Sequence, residues 1–376
     1  MSSMDRIIAR ERGSTTSETV KRCIIISTFP RRSHSYEKDY KTSFDTCCNR
    51  RQKMRRKETM LLLTIVLFVA FFVGCSTANS PPPNSEPLPD DGLPIVYMTT
   101  NISPESLVAI YRALGVEPTG RVAVKVHTGE PPNSNYLRPE LIKDLVQLLD
   151  GTIVESNAVA GHRASNAMHL QVAKDHGFLD IAEFDLLDAD GEISLPITGG
   201  EVLDEVFVGA NFPNYDYYVV LSHFKGHASA GYGGAIKNLA IGSASAPGKS
   251  LIHSGGTRKI GYTGDQDRFL KGMAEASTGI VDYLNGNLLY INVMNRLSVD
   301  CDCMGNPREP DMHDIGILAS LDPVALDQAC IDLVYAAEDG QSLISRIESR
   351  NGIHTLEHAA AIGLGSREYT LVRIDD

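Results

Sequence analysis

The stretch YYVVLSHFKGHASAGYGGAIKNLAIG, Tyr217 to Gly242, decides the fold. Its first six residues, Tyr217–Ser222, are aromatic or β-branched for the most part and predict a strand. A polar turn rich in glycine follows, and the small apolar run from Ala235 then predicts a helix. An apolar strand that feeds a helix through a polar turn is the building unit of an α/β sheet.

The alternation continues on both sides of this unit. Strands are predicted at Ile95–Thr100, Arg121–His127, Gly151–Asn157, Leu288–Asn295 and Asp314–Ser320, with a last one at Glu368–Ile374. Amphipathic patterns predict helices at Ser103–Leu114, Pro139–Leu149, Ala164–His176, Arg268–Leu284 and Pro323–Ala337. Ser103-Pro104 and Asp322-Pro323 each set a capping residue before a proline at the first helical position. Closely spaced short runs over Phe184–Phe212 suggest an antiparallel excursion. The expected fold class is α/β, a mixed and largely parallel sheet flanked by helices, in one domain that two lobes could share.

In such sheets ligands bind beyond the carboxyl ends of the strands. Polar residues collect there in three places. Val122, Val124 and Val126 face one side of their strand, while Lys125 and His127 share the other. The strand ending at Glu155 runs into Ser156-Asn157, then Gly161-His162-Arg163. Tyr217–Leu221 runs into Ser222, His223, Lys225 and His227. Gly231, Gly233 and Gly234 precede the helix and would expose N–H groups suited to phosphate or carboxylate. Lys237 and Asn238 lie within that helix, either facing inward or on a solvated face. The expected ligand contacts are therefore His127, Asn157, Arg163, Gly231, Gly233, Gly234 and Asn238. Lys225, Lys237 and Lys125 are the candidates for proton transfer or for holding an anionic substrate.

Cys301-Asp302-Cys303 follows the strand Leu288–Asn295. Two thiols at i and i+2 present one edge to a metal, and His223 and His227 would complete a site for one zinc or iron ion. The alternative is a pair of loop cysteines, reduced or joined by an oxidising compartment.

The full chain carries −12, yet the charge is unevenly placed. Up to Cys75 there are 15 Lys plus Arg and 7 Asp plus Glu, which leaves 20 basic against 40 acidic residues beyond it, about −20. That balance repels phosphate backbones, so no nucleic-acid partner is expected. Met60–Val73 reads MLLLTIVLFVAFFV, too short for a permanent span of about 20 residues but suited to the core of a signal peptide. Arg55, Arg56 and Lys57 precede it and Gly74-Cys75 follow, a junction similar to a bacterial lipobox, although Phe72 stands where Leu is usual. An uncleaved anchor is the alternative. The run after Cys75, STANSPPPNSEPLPDDG, reads as a tether. Residues 1–53 are accordingly expected to be untranslated or disordered, 54–74 a lipoprotein signal peptide, 75–93 a lipid-attached tether and 94–376 the α/β domain. The membrane partner would be reached through lipid on Cys75, at the periplasmic face or the cell surface.

HFKGHASAGYGGAIKNLAIG, the Cys301-Asp302-Cys303 turn, VAVKVHTGE at Val122–Glu130 and DIGILASLDPVALDQACIDLV at Asp314–Val334 together resemble the family known as domain of unknown function 362. Members are often labelled uncharacterised iron–sulfur centre proteins. The resemblance spans Val96 to Val334 and implies a common fold with a metal or redox role. Many members carry a ferredoxin-like insert after the segment matching Lys249–Ser254. Here GGTRKIGYTGDQDRF, Gly255 to Phe269, holds no cysteine. A ferredoxin-type 4Fe–4S cluster takes four thiolates and is not expected in this chain. The resulting expectation is an exported metal-binding domain with a redox or metal-assisted role on a small anionic substrate. Its alternative is a non-catalytic envelope protein that binds a small anionic ligand or a metal.

Overall fold

The computed structural model describes residues 92–261 and 264–375. The expectations for residues 1–53, the signal peptide at 54–74, Cys75 and nearly all of the tether lie outside the described residues. The described residues fall in one unit rather than two lobes.

The strands are β1 (Ile95–Thr99), β2 (Val122–Lys125), β3 (Thr152–Glu155), β4 (Phe184–Leu186), β5 (Glu192–Pro196), β6 (Glu205–Gly209), β7 (Tyr217–His223), β8 (Lys225–His227), β9 (Gly231–Gly233), β10 (Leu288–Met294), β11 (Gly316–Ser320) and β12 (Thr370–Arg373). The helices are α1 (Pro104–Ala113), α2 (Pro139–Leu148), α3 (Asn166–Asp175), α4 (Ala235–Ser243), α5 (Ala246–His253), α6 (Gln266–Tyr283), α7 (Pro323–Ala336), α8 (Gln341–Ser349) and α9 (His354–Ala361). Eight strands form one sheet in the order β12-β1-β11-β10-β7-β2-β3-β4. β11 pairs antiparallel with both its neighbours, and the remaining pairs are parallel. The antiparallel excursion is present as the β5–β6 pair, while β4 joins the main sheet.

Every residue of β7 and β10 is buried, as central strands covered on both faces must be. Alternation assigns the two faces. Tyr217, Val219 and Leu221 pack with Leu107 of α1 and Ile142 of α2, whereas Tyr218 and Val220 pack with Leu239 of α4 and Leu270 of α6. The capping signals hold as read: Ser103 accepts from Ser106 N–H, and Asp322 accepts from the N–H groups of Val324 and Ala325. Each such cap contributes about 1 kcal/mol.

After β2 the chain builds outward through β3 and β4, then returns to place β7 on the other side of β2 and builds outward again through β10. This reversal opens a crevice at the carboxyl ends of β2 and β7.

Candidate functional site

A cavity of about 130 Å³ fills that crevice. Its wall takes residues from β3, β7, the β8–β9 hairpin, α4, α5 and the Cys301–Cys303 turn.

The β3 edge is a braced carboxylate. Glu155 Oε2 accepts from the backbone N–H and hydroxyl of Thr128 at 2.9 and 2.7 Å and faces His169 Nε2 at 3.0 Å. Its Oε1 accepts from Arg163 at 2.7 Å, and Arg163 Nε also reaches Glu130 at 3.2 Å. Burial pushes the Glu155 carboxyl up, but Arg163, His169 and His127 together hold it well below the usual carboxylate range. Asn157 belongs to this bracing: it meets Asn166 at 2.6 Å and His169 at 3.3 Å and stands outside the cavity wall.

Lysines dominate the opposite side. Lys225 is paired with Asp302 at 2.9 Å. Lys249, on α5, donates to the Ala244 carbonyl at 2.6 Å, and burial pushes its pKa down to about 8. Lys237 projects from α4 into the cavity wall, and among the described residues its ammonium has no hydrogen-bond partner. Burial, then the neighbouring Lys225, Lys125 and Lys249, push it down to about 7. Lys125 is fully buried behind the wall rather than in it. It donates to the Val126 carbonyl at 2.7 Å and to Asn238 Oδ1 at 3.0 Å, and burial pushes it too down to about 7. Asn238 faces inward and ties α4 to the sheet, donating to the Lys125 and Leu221 carbonyls at 3.1 Å.

The glycine turn differs from the expectation. The N–H groups of Ala235 and Ile236 donate to the buried carboxylate of Asp327 at 2.7 and 3.1 Å, so the amino end of α4 is already occupied. Gly233 and Gly234 line the cavity, but Gly231 packs against Ile347 and Gly352 instead. A Cβ on Gly234 would lie 2.3 Å from Asp327 Oδ1, which explains the need for glycine there.

Sulfur and imidazole close the remaining side. Cys301 and Cys303 are joined as a disulfide. His227 Nε2 lies 3.8 Å from Cys303 Sγ, and one ligand atom from each of His227, Cys301 and Cys303 lies within 4.8 Å of the others. That group is close enough to hold a metal ion. Two features stand against immediate loading. The sulfurs must first be reduced. His227 Nδ1 also accepts the N–H groups of Ser229 and Ala230 at 3.1 and 2.9 Å, which places the proton of the neutral ring on Nε2, the atom that would ligate. Burial and Lys237 keep that ring neutral, well below the usual histidine range.

His223 supplies no ligand in this arrangement. Its Nδ1 faces Asp302 at 3.0 Å and its Nε2 faces the Asn295 carbonyl at 2.6 Å, so both nitrogens are already engaged within the protein. His127 lines the cavity and accepts the Gly129 N–H on Nδ1 at 3.1 Å; burial holds it well below the usual range. A four-thiolate cluster does not fit the described residues. Cys330 is buried in α7, where it accepts from Asn292 at 3.4 Å, away from the pair.

Sequence reasoning missed Lys249 and His253 of α5 and the pairing role of Asp302. Ser245-Ala246-Pro247 carried the signal for α5, a capping residue before a proline in the first turn, with Ser245 accepting from Gly248 N–H.

The family described as "Domain of unknown function (DUF362)" matches residues 122–332. No curated protein matches the chain. Among solved structures, the chain is similar to the lactate racemase apoprotein from Thermoanaerobacterium thermosaccharolyticum, at 18% identity and a TM-score of 0.34 over 56% of this chain and 53% of that one. It is also similar to a protein from Thermotoga maritima, at 13% identity and a TM-score of 0.38 over 62% of this chain and 58% of that one. The chain thus spans a little over half the length of either.

Proposed function

The chain belongs to the DUF362 family, and we propose that its crevice binds a small anionic ligand, as the substrate-binding part of a lipid-anchored envelope protein. One observation carries this reading. Lys225, Lys237, Lys249 and Arg163 converge on one small cavity, yet among the described residues the Lys237 ammonium has no hydrogen-bond partner, and burial, with neighbouring lysines adding to it, pushes its pKa down. An anion placed among them would relieve that repulsion and find donors already aimed at it. The cavity size suits a few heavy atoms, as in phosphate or a short carboxylate.

Titration calorimetry with phosphate, sulfate and short carboxylates tests the reading. Wild-type protein should bind at least one of them, and Lys237→Met should weaken that binding tenfold or more, by roughly 1.5–3 kcal/mol for a charged hydrogen bond. Absence of binding by any of these anions at millimolar concentration would overturn it.

A second reading, metal-assisted chemistry, is favoured by the spacing of His227, Cys301 and Cys303. When bound, a zinc or iron ion there would act as a Lewis acid or redox centre beside the lysines. Export rests on the sequence: labelled fatty acid should enter the wild-type chain and not Cys75→Ala.

A further inference from the structure

We infer that Cys301 and Cys303 form a two-electron thiol–disulfide couple that exchanges with a small anionic thiol. The choice of an anionic thiol rests on the ligand reading above; the couple itself does not.

Three features of the turn support exchange. The two cysteines are unequal in access: Cys303 is an exposed residue, whereas Cys301 is 3% exposed. An incoming thiolate therefore has one sulfur to attack. Each sulfur also has a donor in place for the negative charge it must carry. The Cys303 backbone N–H donates to Cys301 Sγ at 3.3 Å, and His227 Nε2 stands 3.8 Å from Cys303 Sγ with its proton fixed there by the two N–H groups bound at Nδ1. Finally, both cysteines line the same cavity as Lys225 and Lys237, so a carboxylate on the thiol would be held while its sulfur reacts.

The steps balance as follows. A thiolate attacks Cys303 Sγ; the Cys301–Cys303 bond breaks and its electron pair passes to Cys301 Sγ, beside the Cys303 N–H. A second thiolate attacks the incoming sulfur of this mixed disulfide. The product disulfide leaves, and the electron pair passes to Cys303 Sγ, facing His227. Two thiols are oxidised to one disulfide, one protein disulfide is reduced to two thiols, and the protons released by the first pair are taken up by the second. A disulfide as oxidant runs the same steps in reverse.

The test equilibrates the full chain, purified in detergent, with mixtures of mercaptoacetate and its disulfide, a short thiol bearing one carboxylate. Quenching with an alkylating agent and peptide mass mapping then reads Cys301 and Cys303 separately from the other cysteines. Both should gain label together and lose it together as the mixture is made oxidising. Cys301→Ser should trap mercaptoacetate on Cys303 as a mixed disulfide, whereas Cys303→Ser should trap none on buried Cys301. Initial exchange with mercaptoacetate should exceed that with the cationic thiol cysteamine, of similar size, by about tenfold through electrostatic concentration in the cleft, and Lys237→Met should erase the difference. A wild-type pair that stays oxidised across all mixtures, or that never closes, overturns the couple, and this measurement needs no variant to fold. Exchange that proceeds equally with both thiols overturns the anionic substrate. Phosphate binding without exchange defeats the couple and leaves the ligand reading standing.

Discussion

The Lys225 ammonium lies 2.9 Å from Oδ2 of Asp302, the residue between the two bonded cysteines. The same carboxylate meets His223 at 3.0 Å, and the Asp302 carbonyl accepts the Glu130 N–H at 2.7 Å. One residue thus fastens the sulfur turn to β7, to the β8 strand and to the loop after β2. Although burial pushes the Asp302 carboxyl up, His223 and Lys225 hold it well below the usual range.

Asp302→Asn should therefore leave a buried ammonium without its counter-ion. Breaking one side of a buried pair costs about 3–5 kcal/mol, measurable by urea unfolding. Lys225→Met added to it should restore much of the loss. Equal stability of Asp302→Asn and wild type would show that the pair contributes nothing.

The pH dependence has a definite sign. Lys125 and Lys237 are pushed down to about 7 and Lys249 to about 8, all below the ordinary value of 10.5 that the unfolded chain keeps. Between those limits the unfolded state binds more protons, so stability rises with pH. The cost is full below about 7 and gone above the unfolded value. Melting temperature should increase from pH 6 to pH 9 through these groups, and a bound anion should flatten the slope. A slope of the opposite sign that survives in Lys237→Met would refute this assignment.

Lys237→Met itself should melt higher than wild type at pH 6. It replaces a cation that is buried among like charges, and has no hydrogen-bond partner among the described residues, by an apolar chain of similar length. The gain should shrink at pH 9, where the wild-type amine is already neutral. A variant less stable than wild type at pH 6 would mean that Lys237 has a hidden partner.

Metal content separates the cysteines. After reduction and incubation with zinc, elemental analysis should find an ion in the wild type that is largely lost in Cys301→Ser and in Cys303→Ser. Cys330→Ala should keep the ion, since that thiol is buried in α7 and its loss affects packing. Retention of zinc in all three variants would place the ion elsewhere.

Gly234→Ala tests the crowding at the start of α4. The added Cβ would meet Asp327, which is itself fixed by two backbone N–H groups and by Asn292 at 2.7 Å. Overpacking of this kind costs about 1–3 kcal/mol, and a melting curve identical to wild type would show that Asp327 can step aside.

Much of the frame was legible because β-branched runs and capping residues are local signals. Tyr217–Ser222 read as a strand, Asp322 read as a cap, and both behave so. Lys225, Lys237, His127, His227 and the two cysteines do meet at one cavity, since strand ends of a parallel sheet share an edge. What escaped were the partners that only tertiary contact supplies. Nothing near His223 announces that Asp302 and the Asn295 carbonyl occupy both its nitrogens. Lys125 alternates correctly with Val124 and Val126, yet the strand pattern does not say that α4 covers it. Helices α5, α8 and α9 are short, and Gly248 within α5 blurred the helical pattern.

The Asp327 carboxylate has a consequence for how ligand choice can change. Because the fold brings its own anion to the amino end of α4, the backbone's contribution is spent internally and stays the same whatever occupies the crevice. The field that a ligand feels then comes from individual side chains, chiefly Lys225, Lys237 and Lys249. Such groups can be exchanged singly without redrawing the chain path. A neutral or acidic residue at position 237 would retune the same cradle for a different cargo, so the scaffold is one on which new specificity is a matter of few substitutions.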